Sequence, residues 1–240
     1  MSDRVLVPAG LDVRPGATIV LDEGESHHLQ VRRAREGESV ELRDGFGLVG
    51  TGGLVKRGSE WAIEVDKAAC QSHPPELTLV VGAGDRERFD WLVEKAAELG
   101  VTAVVPLQTE RTAGVSSRLR EAHVEKLRRR ALEAIKQCGA AWAPRIEPGT
   151  SVAELIARIG SDGERWLADV AGEPPVAALN REAVTVVVGP EGGFSSAERR
   201  TLVEGGYQPT SFGQHTLRYE TAALAAAAAV AAARLRGTHG

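Results

Sequence analysis

The sequence predicts an α/β protein in which a small β-rich segment precedes a larger, mostly parallel sheet. Three observations carry that expectation. From Leu77 onward, short apolar runs alternate with amphipathic stretches of helical period, the pattern of a parallel sheet with helices on both faces. The β-branched run Thr185-Val186-Val187-Val188 leads straight into Gly189-Pro190-Glu191-Gly192-Gly193-Phe194 and then into the capping box Ser195-Ser196-Ala197-Glu198. Residues 1–70 instead hold short β-leaning runs divided by glycine, aspartate and glutamate turns.

In that first segment the runs fall at residues 4–6, 18–21, 39–43, 48–55 and 61–65, a spacing that suggests a small barrel. Between the second and third lies a helix over residues 25–35, with Arg32, Arg33 and Arg35 at a basic end. His27 and His28 are adjacent, so on a helix they point roughly 100° apart, and no third ligand is near; a structural role fits them better than a metal. The arginines read equally well as a contact surface or as a solvated face, and with nine Lys/Arg against twelve Asp/Glu the segment is slightly acidic overall. Gln71-Ser72-His73-Pro74-Pro75-Glu76 reads as a linker, because paired prolines stop both helix and sheet. The expected division is therefore residues 1–70, a linker at 71–76, and a second domain over 77–240.

The second domain begins with a strand at 77–81. A helix over 86–99 follows, with Phe89, Leu92, Val93 and Ala96 on one face and Gly100 just past its end. Next come a strand at 103–107, a long helix at 121–138 striped by Val124, Leu127, Ala131 and Ile135, and a helix at 152–159. Strands at 165–168, 185–188 and 208–212, a helix from Ser195 to Glu204 and a terminal alanine-rich helix complete the alternation. Two loops stand out: the one at residues 189–194, and Ser211-Phe212-Gly213-Gln214-His215-Thr216-Leu217-Arg218-Tyr219-Glu220-Thr221 before the last helix. Glycine lets backbone amides approach a ligand without a Cβ in the way, and a strand, a glycine loop and a helix N-terminus form a cradle at the carboxyl edge of a sheet. Taken singly, such a loop is more often a plain turn. No Gly-x-x-x-x-Gly-Lys-Ser/Thr is present, and Gly82-Ala83-Gly84-Asp85 lacks a third glycine, so spacing alone gives a crevice of unspecified chemistry.

Composition narrows the class. At 240 residues, 42% hydrophobic and 26% charged, the chain suits two soluble globular domains. No apolar run approaches the ~20 residues of a membrane span, and the N-terminus lacks a signal peptide, so a cytoplasmic protein is expected. Cys70 and Cys138 make no disulfide framework, and no metal-ligand cluster is visible. A net charge of -4 argues against a general polycation, which leaves RNA affinity to local patches. The clearest is residues 111–136, where Arg111, Arg118, Arg120, Lys126, Arg128, Arg129, Arg130 and Lys136 face three glutamates. Glu125 and Arg129 are spaced to pair at i, i+4, so the stretch reads either as a phosphate-contacting surface or as a solvated helix face.

The wording of the two loops says more than their spacing. Val188-Gly189-Pro190-Glu191-Gly192-Gly193-Phe194-Ser195, with Leu217-Arg218-Tyr219-Glu220-Thr221-Ala222-Ala223, resembles the C-terminal motifs of the RsmE family. These are bacterial SPOUT-superfamily methyltransferases acting on N3 of a uridine in small-subunit ribosomal RNA. Glu94-Lys95-Ala96-Ala97-Glu98-Leu99-Gly100-Val101, Thr109-Glu110-Arg111 and Gln137-Cys138-Gly139 follow the family order as well, so the resemblance spans nearly the whole chain.

The resemblance implies a SPOUT-type α/β domain with a trefoil knot, a feature so rare that composition could never suggest it. It also implies a PUA-like RNA-binding barrel at the N-terminus, a homodimer with the alanine helix as its natural contact, 16S rRNA of the small ribosomal subunit as partner, and S-adenosyl-L-methionine as cofactor. Cofactor contacts are then expected from Leu167, Asp169, Val188, Gly189, Pro190, Glu191, Gly192, Gly193, Phe212, Gly213, Leu217, Thr221 and Ala222. Arg218 would orient the base or stabilise its anion. Glu220 would serve as base or as partner of Arg218, and Thr221 would cap the helix. RNA contacts fall to Arg32, Arg33, Arg111, Arg128 and Arg129. The chain departs from the family at Gln214-His215-Thr216, where a proline–arginine pair is common, at Tyr219, a usual threonine, and at Lys136 and Ala140. Methylation of another RNA, or a non-catalytic RNA-binding role on the same fold, are the competing readings.

Overall fold

The computed structural model describes residues 3–58, 60–82, 84–112, 121–158, 163–179 and 182–237, without the side chains of 121 and 122. The chain forms two compact units, Met1–His73 with Leu132–Ala143, and Pro74–Ala131 with Pro144–Gly240. A linear division at residues 71–76 misses the excursion of 132–143 into the first unit. Local interactions hold it there. Arg4 donates from Nη1 to the carbonyls of Lys136 and Gln137, at 3.2 and 2.7 Å, and Trp142 Nε1 donates to the Gln71 carbonyl at 3.2 Å. A Cβ on Gly45, which has φ +80°, would come within 2.5 Å of Leu132 Cδ2, so only glycine lets this segment sit so close.

The first unit contains β1 (Asp3–Leu6), β2 (Thr18–Val20), α1 (Glu23–Val31), β3 (Ser39–Arg43), β4 (Leu48–Arg57) and β5 (Glu60–Cys70). They build a five-stranded sheet in the order β1-β3-β4-β5-β2, antiparallel except for β1 with β3. Alternate residues point inward, and Val5, Ile19, Leu29, Val40, Leu42, Leu54, Trp61 and Ile63 form the core. Asp22 caps α1 by accepting from the Glu25 amide at 2.8 Å. The helix is shorter than the predicted 25–35. Arg32 is its C-cap and Arg33 turns left-handed at φ 60°, which ends the helical hydrogen bonding before the basic cluster.

The second unit alternates as predicted: β6 (Leu77–Val81), α2 (Arg86–Glu98), β7 (Ala103–Gln108), α3 (Glu121–Cys138), β8 (Arg145–Ile146), β9 (Thr150–Ser151), α4 (Val152–Ala157), β10 (Glu164–Glu173), β11 (Val184–Val188), α5 (Ser196–Glu204), β12 (Gln208–Thr210) and α6 (Tyr219–Gly237). The last turns of α3, from Leu132, belong to the first unit. The sheet runs β12-β10-β11-β6-β7-β8, with β9 also on β7, and every pairing is parallel. Two-residue β8 and β9 carry too short a pattern to show in the sequence. One face of the sheet presents Val80, Leu107, Leu167 and Val187 to Val152 of α4 and Leu202 of α5, with Tyr207 beside them. Strand alternation turns Leu79, Val81, Val186 and Val188 to the opposite face, and there α6 packs on β6, β10 and β11 and against α2. Burial on both faces is why these strands are nearly all apolar.

In the first unit Lys136 Nζ reaches both oxygens of the buried Glu25, at 2.7 and 2.9 Å, and the Lys136 side chain is itself largely covered. Burial raises the Glu25 carboxyl above its ordinary value, and Lys136 only partly opposes that rise. Lys136→Met therefore strands a buried carboxylate and should remove roughly 3–5 kcal/mol at pH 8, measured by urea unfolding. Because an acid with a raised folded pKa binds its proton more tightly when folded, the deficit should shrink as the pH falls, and Glu25→Gln with Lys136→Met should recover most of it.

Candidate active site

Three segments leave the carboxyl ends of the neighbouring strands β12, β10 and β11, the edge where ligands bind on open α/β sheets. Between them lies a cleft of about 460 Å³, walled by Leu167 to Val170 of β10, by Val188 to Glu191 with Gly193 and Phe194 after β11, and by Phe212, Gly213 and His215 to Tyr219 after β12. Arg199 of α5 and Ala222 of α6 complete it. That volume lies in the usual range for a small-molecule site.

The loop after β11 is shaped by close approaches. A Cβ on Gly189 would lie 3.0 Å from the Phe194 ring, one on Gly82 would meet the Pro190 ring at 2.7 Å, and one on Gly84 would meet Glu191 Oε2 at 2.6 Å. Gly193 turns left-handed at φ 66° and donates its amide to the Pro190 carbonyl at 2.7 Å. The predicted capping box forms: Glu198 donates its amide to Ser195 Oγ at 3.2 Å, and its Oε2 accepts from the Ser195 amide at 2.9 Å. Its Oε1 accepts from the Glu110 amide at 2.8 Å, which ties the loop to the end of β7. Arg111 donates to the Gly192 carbonyl, so this predicted RNA contact braces the loop.

Of the expected cofactor residues, the cleft gathers Leu167, Asp169, Val188, Gly189, Pro190, Glu191, Gly193, Phe212, Gly213, Leu217 and Ala222. Gly192 and Thr221 are not in the wall. Thr221 is not the cap either: α6 begins at Tyr219, and the Ala222 amide bonds to the Arg218 carbonyl at 2.8 Å, so the backbone of Arg218 opens the helix. β12 stops at Thr210, which leaves Phe212 in the loop with its ring 5.9 Å from that of Trp166. β10 runs to Glu173, beyond the predicted end, and so places Asp169 within a strand.

Arg218 is exposed in the wall. Glu220 is not in the wall: it is buried, and its Oε1 lies 3.5 Å from Arg88, so the predicted pairing with Arg218 is replaced by one with α2. Arg88 falls between Gly82–Asp85 and Glu94–Val101 and belongs to neither, so it carries no local signal. Tyr219 donates its hydroxyl to the Asp85 carbonyl at 3.0 Å, and burial, with Glu191 and Glu220 nearby, raises its pKa and keeps the phenol protonated. Burial pushes the Asp169 carboxyl up, but the Ala171 amide and the Arg199 guanidinium outweigh it and hold the group below its ordinary value. Sequence reasoning passed over Val170, which lies beyond the expected end of its strand, and Arg199, because an α5 side chain one turn past its cap has no motif to mark it.

The predicted RNA contacts fare unevenly. Arg32 is held by Asp3 at 2.9 Å and Glu38 at 2.7 Å and is largely withdrawn from solvent, a structural role. Arg33 is exposed. In α3 the pairing is Glu125 with Arg128, at i+3, which leaves Arg129 exposed. Lys126 and Arg130 turn to the buried Asp90, at 2.6 and 3.6 Å, so part of the basic stretch is paired with the protein's own carboxylate. Arg118 and Arg120 lie outside the described residues.

Among the described residues, no His/Cys/Asp/Glu group could hold a metal ion, and no helix is long and apolar enough to cross a membrane. The wall fits S-adenosylmethionine on its own chemistry: apolar surfaces for the adenosine, glycine backbone where a Cβ would intrude, and the Glu191 carboxylate to face positive charge.

A family model described as an RNA methyltransferase domain matches residues 71–231. Ribosomal RNA small subunit methyltransferase E of Aquifex aeolicus is 31% identical over 222 residues, covering 88% of this chain and 93% of that protein. The protein of the same name from Mycobacterium bovis is 31% identical, over 90% of this chain and 86% of its own length. A solved structure of ribosomal RNA small subunit methyltransferase E from Neisseria gonorrhoeae, bound to S-adenosyl methionine, superposes with a TM-score of 0.83 at 27% identity, covering 95% of this chain and 96% of the other.

Gly82→Ala should force Pro190 out of place, lower the stability by about 1–3 kcal/mol and weaken ligand binding in the cleft. Gly53→Ala, whose Cβ would meet open space, should leave both unchanged. Thermal melting and a binding titration measure the two effects.

Proposed function

The chain belongs to the ribosomal RNA small subunit methyltransferase E family, and from that premise we propose that its carboxyl-edge cleft methylates N3 of a uridine in 16S rRNA. The protein is an S-adenosylmethionine-dependent rRNA methyltransferase. One observation carries the finer reading: the two glycine-bearing loops and the end of β10 enclose a cleft, and Arg218, which has no ion pair among the described residues, stands exposed in its wall.

When bound, S-adenosylmethionine supplies a methyl group on a sulfonium, already activated for displacement. The residues then have to align the two reactants, which is where most of the rate comes from. The loops at Val188–Gly193 and Phe212–Leu217 hold the donor, with Leu167 and Ala222 as apolar walls. Uridine N3 must lose its proton to become a nucleophile, so the ring passes through an anionic form. The Arg218 guanidinium stabilises that anion, an electrostatic role of the kind usually worth most in an excluded site. Glu220 is better placed to position than to abstract a proton: its ion pair with Arg88 and the Tyr219–Asp85 hydrogen bond set the start of α6, and with it Arg218. The target base must be single-stranded or flipped out of its stack to enter.

The proposal extends to the rest of the molecule. A PUA-like role for the first unit is supported by its five-stranded sheet with the short helix α1, and by the exposed Arg33. A trefoil knot is supported by the likeness to the Neisseria gonorrhoeae structure and by three loops meeting at one strand edge. A homodimer through α6 is supported by its outward face, where Ala228 and Leu235, seven residues apart, are exposed, Leu235 to 65%. A cytoplasmic location follows from an rRNA substrate.

Loss of the gene should abolish 3-methyluridine in 16S rRNA, read by nucleoside mass spectrometry against the parent strain; an unchanged amount would refute the target. Arg218→Ala should lower kcat by roughly 100-fold or more while the Kd for S-adenosylmethionine stays near the wild-type value. Arg33→Ala and Arg129→Ala should each weaken RNA binding and reduce its salt slope by about 1, measured by filter binding.

A further inference from the structure

We propose that a cavity at the amino edge of the second unit's sheet is a second binding site, made for a neutral, polyhydroxylated molecule of pentoside size. The cavity encloses about 280 Å³, just under the ~300–1,000 Å³ usual for ligand pockets. Thr78, Arg165 and Thr185 are each the second residue of their strand, in β6, β10 and β11. They pair across the sheet, Arg165 with Thr185 and Thr185 with Thr78, and so form one row. All three line the cavity, at the opposite strand ends from the cleft of the carboxyl edge. By strand alternation the row lies on the face that carries Val80, Leu167 and Val187. That face is otherwise apolar, and a polar row on it has a desolvation cost that packing does not offset.

The hydrogen-bonding capacity around the row is unused. Among the described residues, the hydroxyls of Thr78 and Thr185 have no hydrogen-bond partner. Tyr207 also lines the cavity; it is only 2% exposed, and its hydroxyl likewise lacks a partner among the described residues. Its amide bonds to the Leu202 carbonyl at 3.0 Å just past the left-handed Gly206, and this turn brings the ring back against the sheet. Burial pushes the phenol up to about 12 against the opposing charge of Arg165, so it stays protonated and able to donate.

The charges select the ligand class. Arg158 and Arg165 line the cavity together with Glu147 and Glu164, two of each sign, so a bare ion gains no net attraction. Guanidinium groups only donate, carboxylates only accept, and hydroxyls do both. Hydroxyls on adjacent carbons of a ligand also do both, and they satisfy such a lining without bringing a charge of their own. Val80, Val105 and Leu155 supply apolar surface for the carbon ring.

The test is a methyl-resolved NMR titration of the full chain with methyl β-D-ribofuranoside, in the presence of S-adenosylhomocysteine to occupy the other cleft. Saturating shifts should appear at the methyls of Thr78, Val80, Val105 and Thr185, and not at those of Val186 and Val188 on the opposite face. Tyr207→Phe and Thr185→Val each delete one hydroxyl. Each should weaken the riboside about fivefold, the worth of one neutral hydrogen bond, without lowering the melting temperature. Ribose 5-phosphate should bind no more tightly than the riboside. Absence of saturating shifts would mean a water-filled hollow only and would overturn the site, as would unaltered affinity in both variants. Tighter binding of the phosphate would overturn the ligand class. A lower melting temperature in both variants would make the hydroxyls structural and overturn the proposal as well.

Discussion

The close seating of α6 on the parallel sheet is the constraint on which the site depends. Ala222, Ala223, Ala226, Ala227, Val230 and Ala233 recur on its inner face, and side chains this small let the helix backbone lie near β6, β10 and β11 without a gap. Polar contacts pin both ends. Near its start, Tyr219 bonds to the Asp85 carbonyl and Glu220 faces Arg88; near its end, Arg234 donates to the carbonyls of Glu76 and Glu182 at 2.7 and 3.1 Å. The loop that carries Phe212, Leu217 and Arg218 is thus held by β12 on one side and by a fixed helix on the other. A longer side chain on that face would lift the helix and move a wall of the cleft with it.

A second anchor works through Glu198. Its carboxylate closes the helix cap with one oxygen and holds the Glu110 backbone with the other, so the glycine loop, α5 and the end of β7 share one group. A half-satisfied buried carboxylate would be costly, and here both oxygens have partners. The arrangement makes the loop rigid although three of its residues are glycine. Rigidity matters because alignment of donor and base, rather than new covalent chemistry, is what methyl transfer asks of the protein.

Much of the positive charge is matched within the molecule. The basic run of α3 looks like a polyanion surface in one dimension, yet Lys126 and Arg130 turn to Asp90, Arg128 to Glu125, and Lys136 to Glu25. Arg32, from the basic end expected of α1, is likewise held by Asp3 and Glu38. What remains outward is a sparse set including Arg33 and Arg129. For a protein of net charge -4 this is consistent with recognition by a few placed contacts rather than by bulk attraction.

The sequence alone determined the order of the longer strands and helices in the second unit, the capping box at Ser195, and the two loops that meet in the cleft. Those features are written in local spacing: a period of 3.6 or 2, a cap three residues from its partner, a glycine where φ must be positive. The tertiary structure alone decided that residues 132–143 join the first unit, that Glu220 belongs to Arg88, that Arg32 is withdrawn, and that Arg199 reaches Asp169 in the wall. Each of these joins residues distant along the chain. Whether two charges become a pair depends on a separation of a few ångströms that no local pattern encodes and that only the packed sheet and its helices bring about.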